Sequence, residues 1–126
     1  FLPVDSYAGI KVGPDKTDIP PGGTGTILDF SNTTGGSAFS ALVIVTGRRA
    51  DNGDNVFTDI LIFQMENYGG GTGINSQVVV LGSSQYGSAT TRSYSTSGYS
   101  LLGTFTAGGA GIYARAVAYL GNGSIY

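Results

Sequence analysis

Cysteine and histidine are both absent from this chain of 126 residues, and charged side chains are scarce. Without cysteine there is no disulfide framework, no thiolate nucleophile and no thiolate metal site. Without histidine the commonest general base and the commonest metal ligand are missing as well. Six Lys and Arg against eight Asp and Glu give a formal net charge of −2. Arg48 and Arg49 are the sole adjacent basic pair, so the footprint of a nucleic-acid binder is lacking. No apolar run approaches the roughly 20 residues that span a bilayer, and no secretory leader pattern opens the chain. Membrane insertion is therefore not expected. Beginning at Phe1, the sequence reads as a fragment or processed product of something longer.

Roughly a quarter of the residues are Leu, Ile, Val or Phe, which together with the low net charge excludes intrinsic disorder. A single domain of this length buries roughly two-thirds of its unfolded surface. The 22 glycines and 4 prolines fall between apolar runs, as turn residues of an all-β domain do. Pro3, Pro14, Pro20 and Pro21 all lie in residues 1–23, a stretch that reads as an arm, a linker or edge strands, with GIKV (9–12) fitting a short strand. Residues 24–126 read as the sandwich domain. Its strand candidates are TILDF (26–30), AFSALVIVT (38–46), VFTDILIFQM (56–65), SQVVVLG (76–82), SATTRSYS (88–95), SLLGTFT (100–106) and IYARAVAYL (112–120). SNTTGGS, the glycine-dense ENYGGGTGIN and AGGAG read as the breaks between them. The pattern predicts an antiparallel β-sandwich or jelly roll of about eight strands, without substantial helix.

Two strands are apolar on both faces. Phe39, Ala41, Val43 and Val45 alternate with Leu42 and Ile44; Phe57, Asp59, Leu61 and Phe63 alternate with Ile60 and Ile62. A strand in a lone sandwich buries one face and wets the other. Something must cover the second face: loops and the N-terminal arm, or further copies of the chain in a symmetric homo-oligomer. The last strand sets a slim face (Ile112, Ala114, Ala116, Ala118, Leu120) against Tyr113, Arg115, Val117 and Tyr119.

IPPGGTGTILDF, SAFSALVIVTG, VFTDILIFQ, a polar middle and a closing GIYARAVAYLG resemble the C-terminal domains of bacteriophage tailspikes and tail fibres. The likeness covers roughly residues 19–121. It implies a compact jelly roll related in shape to tumour necrosis factor, and a homotrimer as partner state. It also implies a place in the virion tail, outside the host cell in whose cytoplasm the protein is made. In that family the domain caps the trimer, aids assembly and in some members contacts surface glycans. The proline-rich start would then lead in from an upstream shaft or enzymatic domain.

Residues 47–57, GRRADNGDNVF, are the most polar run. An EF-hand loop needs glycine at its sixth position and a carboxylate at its twelfth. Counted from Asp51, glycine comes third and the twelfth residue is Ile62, so no calcium loop is expected and no metal is assigned. Asn52-Gly53 suits the tight turn of a hairpin between the two most apolar strands. Arg48 and Arg49 then become candidates for a contact between subunits or with an acidic sugar. Asp59, Tyr113, Arg115 and Tyr119 join them as oligomer or ligand contacts. Asp59, beside Phe57 and Leu61, requires a partner such as Arg115 or Arg92, or a raised pKa. A paired structural carboxylate is the plainer reading than half of a glycosidase pair. No GxSxG and no phosphate loop occur, so catalysis and cofactors are not expected. Tyr68, Asn67, Tyr86, Arg92 and Tyr94, placed in or near polar loops, combine aromatic faces with hydrogen-bonding groups suited to a glycan, such as bacterial surface polysaccharide. The function expected is trimer capping with glycan recognition. The alternatives are a standalone carbohydrate-binding module and a purely structural capsid or appendage jelly roll.

Overall fold

The computed structural model describes residues 10–14, 16–30, 38–51, 56–68, 73–87, 90–106 and 111–120, with backbone alone at 38, 67, 68 and 74. Nine strands run in order: β1 Ile10–Val12, β2 Thr17–Ile19, β3 Thr24–Asp29, β4 Ala38–Arg49, β5 Val56–Tyr68, β6 Gly73–Tyr86, β7 Thr91–Ser97, β8 Ser100–Thr106 and β9 Ile112–Leu120. They form two antiparallel sheets. The larger has the order β1-β9-β4-β5-β6 with β2 also on β9, and the smaller the order β3-β8-β7. No helix occurs among the described residues. The architecture is the expected all-β sandwich.

The proline-rich start supplies edge strands. Pro14 has no N–H to donate, and the pairing along β9 is split there into β1 (Ile10 opposite Tyr119) and β2 (Ile19 opposite Ile112). The chain then changes sheet through Pro20-Pro21-Gly22-Gly23. Pro21 presets φ at the second turn position, and Gly22 takes the positive φ of 67° that the third requires. The Gly23 N–H closes the turn on the Pro20 carbonyl at 2.8 Å.

Strands β4, β5 and β6 are two consecutive long hairpins. Arg48 lies opposite Val56, so GRRADNGDNVF joins the strands as expected, while its Asn52-Gly53 turn lies outside the described residues. The loop expected over 66–75 is shorter than its composition suggested. Tyr68 and Gly73 still face each other across the β5–β6 ladder, because polar residues extend both strands.

The inner faces close a single core. Val43 sits opposite both Leu61 and Ala118, and Val45 opposite Asp59 and Ala116. Ile27 and Leu28 of β3, with Leu101 and Phe105 of β8, pack onto them from the smaller sheet. Phe30 stacks on Phe63 with ring centroids 4.6 Å apart and leans on Phe39 at 5.3 Å. Each such side chain fully buried contributes about 1.5–3 kcal/mol.

Of the two covers expected for the outer face of the large sheet, the described residues do not supply the first. Leu42, Ile60, Tyr119 and Val79 remain 38%, 39%, 44% and 46% exposed. Loops and the N-terminal stretch do not cover them among the described residues; the short strands there run along the sheet's edge instead.

Candidate functional site

Three constellations surround the candidate residues. The first is internal. Asp59, with no exposed surface, faces the smaller sheet from β5. Arg92 of β7 reaches it with two hydrogen bonds, Nε to Oδ2 at 2.6 Å and Nη2 to Oδ1 at 2.8 Å. The Tyr94 hydroxyl donates to Oδ2 as well. Gln85 Oε1 accepts from Arg92 Nη1 at 2.8 Å and from the Thr90 N–H at 3.0 Å. The guanidinium lies over the Phe57 ring, 4.4 Å from its centroid, and Tyr94 meets Phe105 edge-on. Gly47 leaves the room: a Cβ there would stand 2.4 Å from the Phe57 ring and 2.8 Å from the Tyr113 carbonyl oxygen.

Burial works against the Asp59 charge, but hydrogen bonds from Arg92, Tyr94 and Ser83 and the charge of Arg92 outweigh it. Its carboxyl is held below the usual range. The bond to Asp59 drives the Arg92 pKa up. Burial, then the carboxylate beside it, raises that of Tyr94. Of the two partners the sequence offered Asp59, the fold supplies Arg92, and the group joins one sheet to the other. Arg92 and Tyr94, expected near polar loops and available to a glycan, instead stand on a regular strand and point inward. On β7, Thr91, Ser93 and Ser95 take the solvent side.

The second constellation is the outer face. Register places Ile10, Tyr119, Leu42, Ile62 and Val79 in one row across five strands, and Val12, Val117, Ile44 and Ile60 in the next. Neither row carries a charge. One end is bounded by a side-chain ladder: Gln77 Nε2 donates to Gln64 Oε1 at 2.6 Å, and Gln64 Nε2 to Ser40 Oγ at 3.3 Å. Thr46, Thr58, Ser84 and Arg115 bound the other. At the β6 edge the register slips between Ile60 and Leu61, leaving Leu81 as an extra residue, 58% exposed. Such bulges turn a side chain out of the regular pleat.

The third lies on the same face, at the end carrying the β4–β5 hairpin tip. Tyr113, Arg48, Val56 and Tyr86 form a row over four strands. A depression of about 340 Å³ opens there, lined by Lys16, Thr46, Arg48, Val56, Tyr113 and Arg115 among others. Lys16 Nζ and the Arg48 guanidinium lie over the Tyr113 ring, 4.1 and 4.9 Å from its centroid. Arg48 also donates to the Arg49 carbonyl at 3.2 Å. Tyr86 is 79% exposed.

The fold thus gathers Arg48, Tyr113 and Arg115 at one place, with Tyr86 farther along the same row, and sends Asp59, Arg92 and Tyr94 to another. Tyr119 belongs to the apolar face. Arg49, on the inner-facing register, holds Asp51 through paired bonds of 3.0 and 2.8 Å. Asn67 and Tyr68 end β5, and their side chains lie outside the described residues. Lys16 was not read from the sequence as a site residue. It precedes β2, and only the pairing of β2 with β9 brings it to Tyr113.

No model of a known protein family matches the chain, and no curated protein matches it. Among solved structures, the chain is similar to the tailspike protein of Acinetobacter baumannii phage AM24, with a TM-score of 0.60 and 13% identity, over 88% of this chain and 26% of that one. For the tailspike protein of Acinetobacter phage vB_ApiP_P1 the values are 0.45 and 15%, over 98% of this chain and 23% of that one. The chain therefore spans about a quarter of the length of these tailspikes. Over the matched residues the sandwich has the fold of part of the phage AM24 tailspike protein.

Proposed function

We propose that the chain is the C-terminal domain of a phage tailspike or tail fibre, which closes a homotrimer and contacts bacterial surface polysaccharide. The observation that carries this reading is the charge-free apolar centre of the outer face. Two rows of Val, Ile, Leu and Tyr crossing a whole sheet form a patch of the kind that marks an interaction surface. Five strands at about 4.8 Å spacing and about four residues at about 3.3 Å rise give the two rows a footprint of roughly 300 Å², and the Gln64 and Thr46 rows on either side extend the surface a partner would cover. Lacking charge of either sign, these two rows do not repel their own copy.

Three-fold closure is favoured by the Leu81 bulge. Face-to-face pairing of two copies would cover the rows and leave the edge residues Val80 and Leu81 in water. An edge-on-face contact, repeated around a ring, buries both surfaces in every copy. Tyr86, an exposed ring at one end of the sheet in the same row as Arg48, supports the polysaccharide contact.

Light scattering on the purified chain tests the assembly. The expected mass is that of three copies, reduced to one by either Ile60→Asp on the face or Leu81→Asp on the edge. A clean monomer at micromolar concentration would overturn the reading in favour of a standalone binding module. A two-copy species indifferent to Leu81→Asp would overturn three-fold closure.

A further inference from the structure

The depression around Tyr113 concentrates positive charge in a chain that is negative overall. Lys16, Arg48 and Arg115 are three of its six basic residues, and no acidic side chain lines the hollow among the described residues. At the rim the exposed Asp18 meets Lys16 at 3.7 Å. Tyr113 organises two of the cations by offering its ring to both, and the bond to the Arg49 carbonyl occupies one of the five N–H donors of Arg48. The remaining guanidinium edge has the fork geometry that receives a carboxylate through paired hydrogen bonds.

The rest of the lining is not that of a bare anion site. Val56 supplies an apolar floor, and along the same row stands the exposed ring of Tyr86, registered opposite it. A volume of about 340 Å³ lies at the low end of the roughly 300–1,000 Å³ typical of small-molecule sites. Cations on one side and an apolar, aromatic surface on the other suit a ring with an ionised group: polar at one corner, with C–H faces elsewhere.

We infer that this depression binds a carboxylate-bearing sugar unit. Arg48, Arg115 and Lys16 hold the carboxylate, and the sugar ring lies over Val56 toward Tyr86. The inference deepens the proposed polysaccharide contact and rests on it.

Calorimetric titration of the full chain with trigalacturonate, a hyaluronan tetrasaccharide and neutral maltotriose provides the test. At least one acidic probe should bind, more weakly as salt is raised, and about tenfold or more tighter than maltotriose. Arg48→Gln and Arg115→Gln should each weaken it by about tenfold or more, as loss of a charge-assisted hydrogen bond does. Arg49→Gln, which lies outside the depression, should leave it unchanged. Thermal unfolding of each variant confirms that it folds. Equal binding of acidic and neutral probes, absence of acidic binding, or indifference to both depression variants would overturn the site. If intact bacterial polysaccharide still bound in those cases, the general glycan contact would stand while this site fell. If the same variants dissolved the assembly and no acidic probe bound, the hollow would be a contact between copies and the inference would be wrong.

Discussion

The two faces of the large sheet are built from alternate residues of the same strands, and their hydropathy is nearly alike. Val43, Val45, Leu61 and Phe63 are sealed beneath the smaller sheet, whereas Leu42 and Ile60 remain more than a third exposed. The inner face nonetheless holds the charge: Asp59 is buried there with Arg92, while the middle of the outer face has none. Polarity therefore does not mark the wet side of these strands. An ion pair is tolerated inside because both oxygens of Asp59 are hydrogen-bonded and the guanidinium is satisfied by Gln85 and Thr90. The apolar surface outside has no such compensation among the described residues.

Substitutions can break this contrast from either side. The largest effect is expected for Asp59→Asn, which strands a buried guanidinium and should cost about 3–5 kcal/mol in urea unfolding. Replacing the pair together (Asp59→Leu with Arg92→Leu) should recover a large part of that loss, because no charge is then left alone. Leu61→Ala opens a cavity in a sealed core and should cost about 2–5 kcal/mol. The adjacent Ile60→Ala opens none and should cost less than about 1 kcal/mol in dilute single chains, with light scattering confirming that state. Equal costs at 60 and 61 would mean that the faces are not distinct.

Acidification isolates the inner pair. The folded carboxyl of Asp59 titrates below the unfolded one, so its stabilisation is complete above the unfolded value of about 3.9. It is lost as the pH falls through the lower folded value. Urea midpoints should drop more steeply with acid in the native chain than in the doubly substituted one. Arg49→Ala, which removes a partly exposed pair with Asp51, should move stability by no more than about 1 kcal/mol, the smallest change of the set.

Much of the fold was legible because apolar runs and glycine clusters alternate. AFSALVIVT, VFTDILIFQM, SQVVVLG and IYARAVAYL all lie within β4, β5, β6 and β9, and the Ser/Thr-rich stretch is β7. Strand ends were shorter in the sequence reading, since Gly47–Arg49 and Glu66–Tyr68 continue a ladder without apolar periodicity. Partners across the sandwich were not legible. Strand alternation turns Asp59 toward an apolar face, but whether Arg92 or Arg115 meets it depends on which sheet packs there, and no local pattern encodes that. The hollow around Tyr113 was half visible. Arg48, Tyr113 and Arg115 were singled out by type and position, whereas Lys16 and Val56 arrive only through the register of β2 with β9 and of β4 with β5.

The pairing of β1 with β9 also sets an order of events in time. Ile10 and Tyr119 lie side by side although the chain separates them widely, and closing so long a loop is slow. Until residues 112–120 have been synthesised, β4 has a bare ladder edge and β1 has nowhere to dock. A chain paused at that stage would display an open strand, the kind of edge on which other chains nucleate unwanted pairing. The same late strand brings Val117 and Tyr119, without which the outer apolar rows are incomplete. The association proposed through that face would therefore wait for β9, which would act as a checkpoint for assembly.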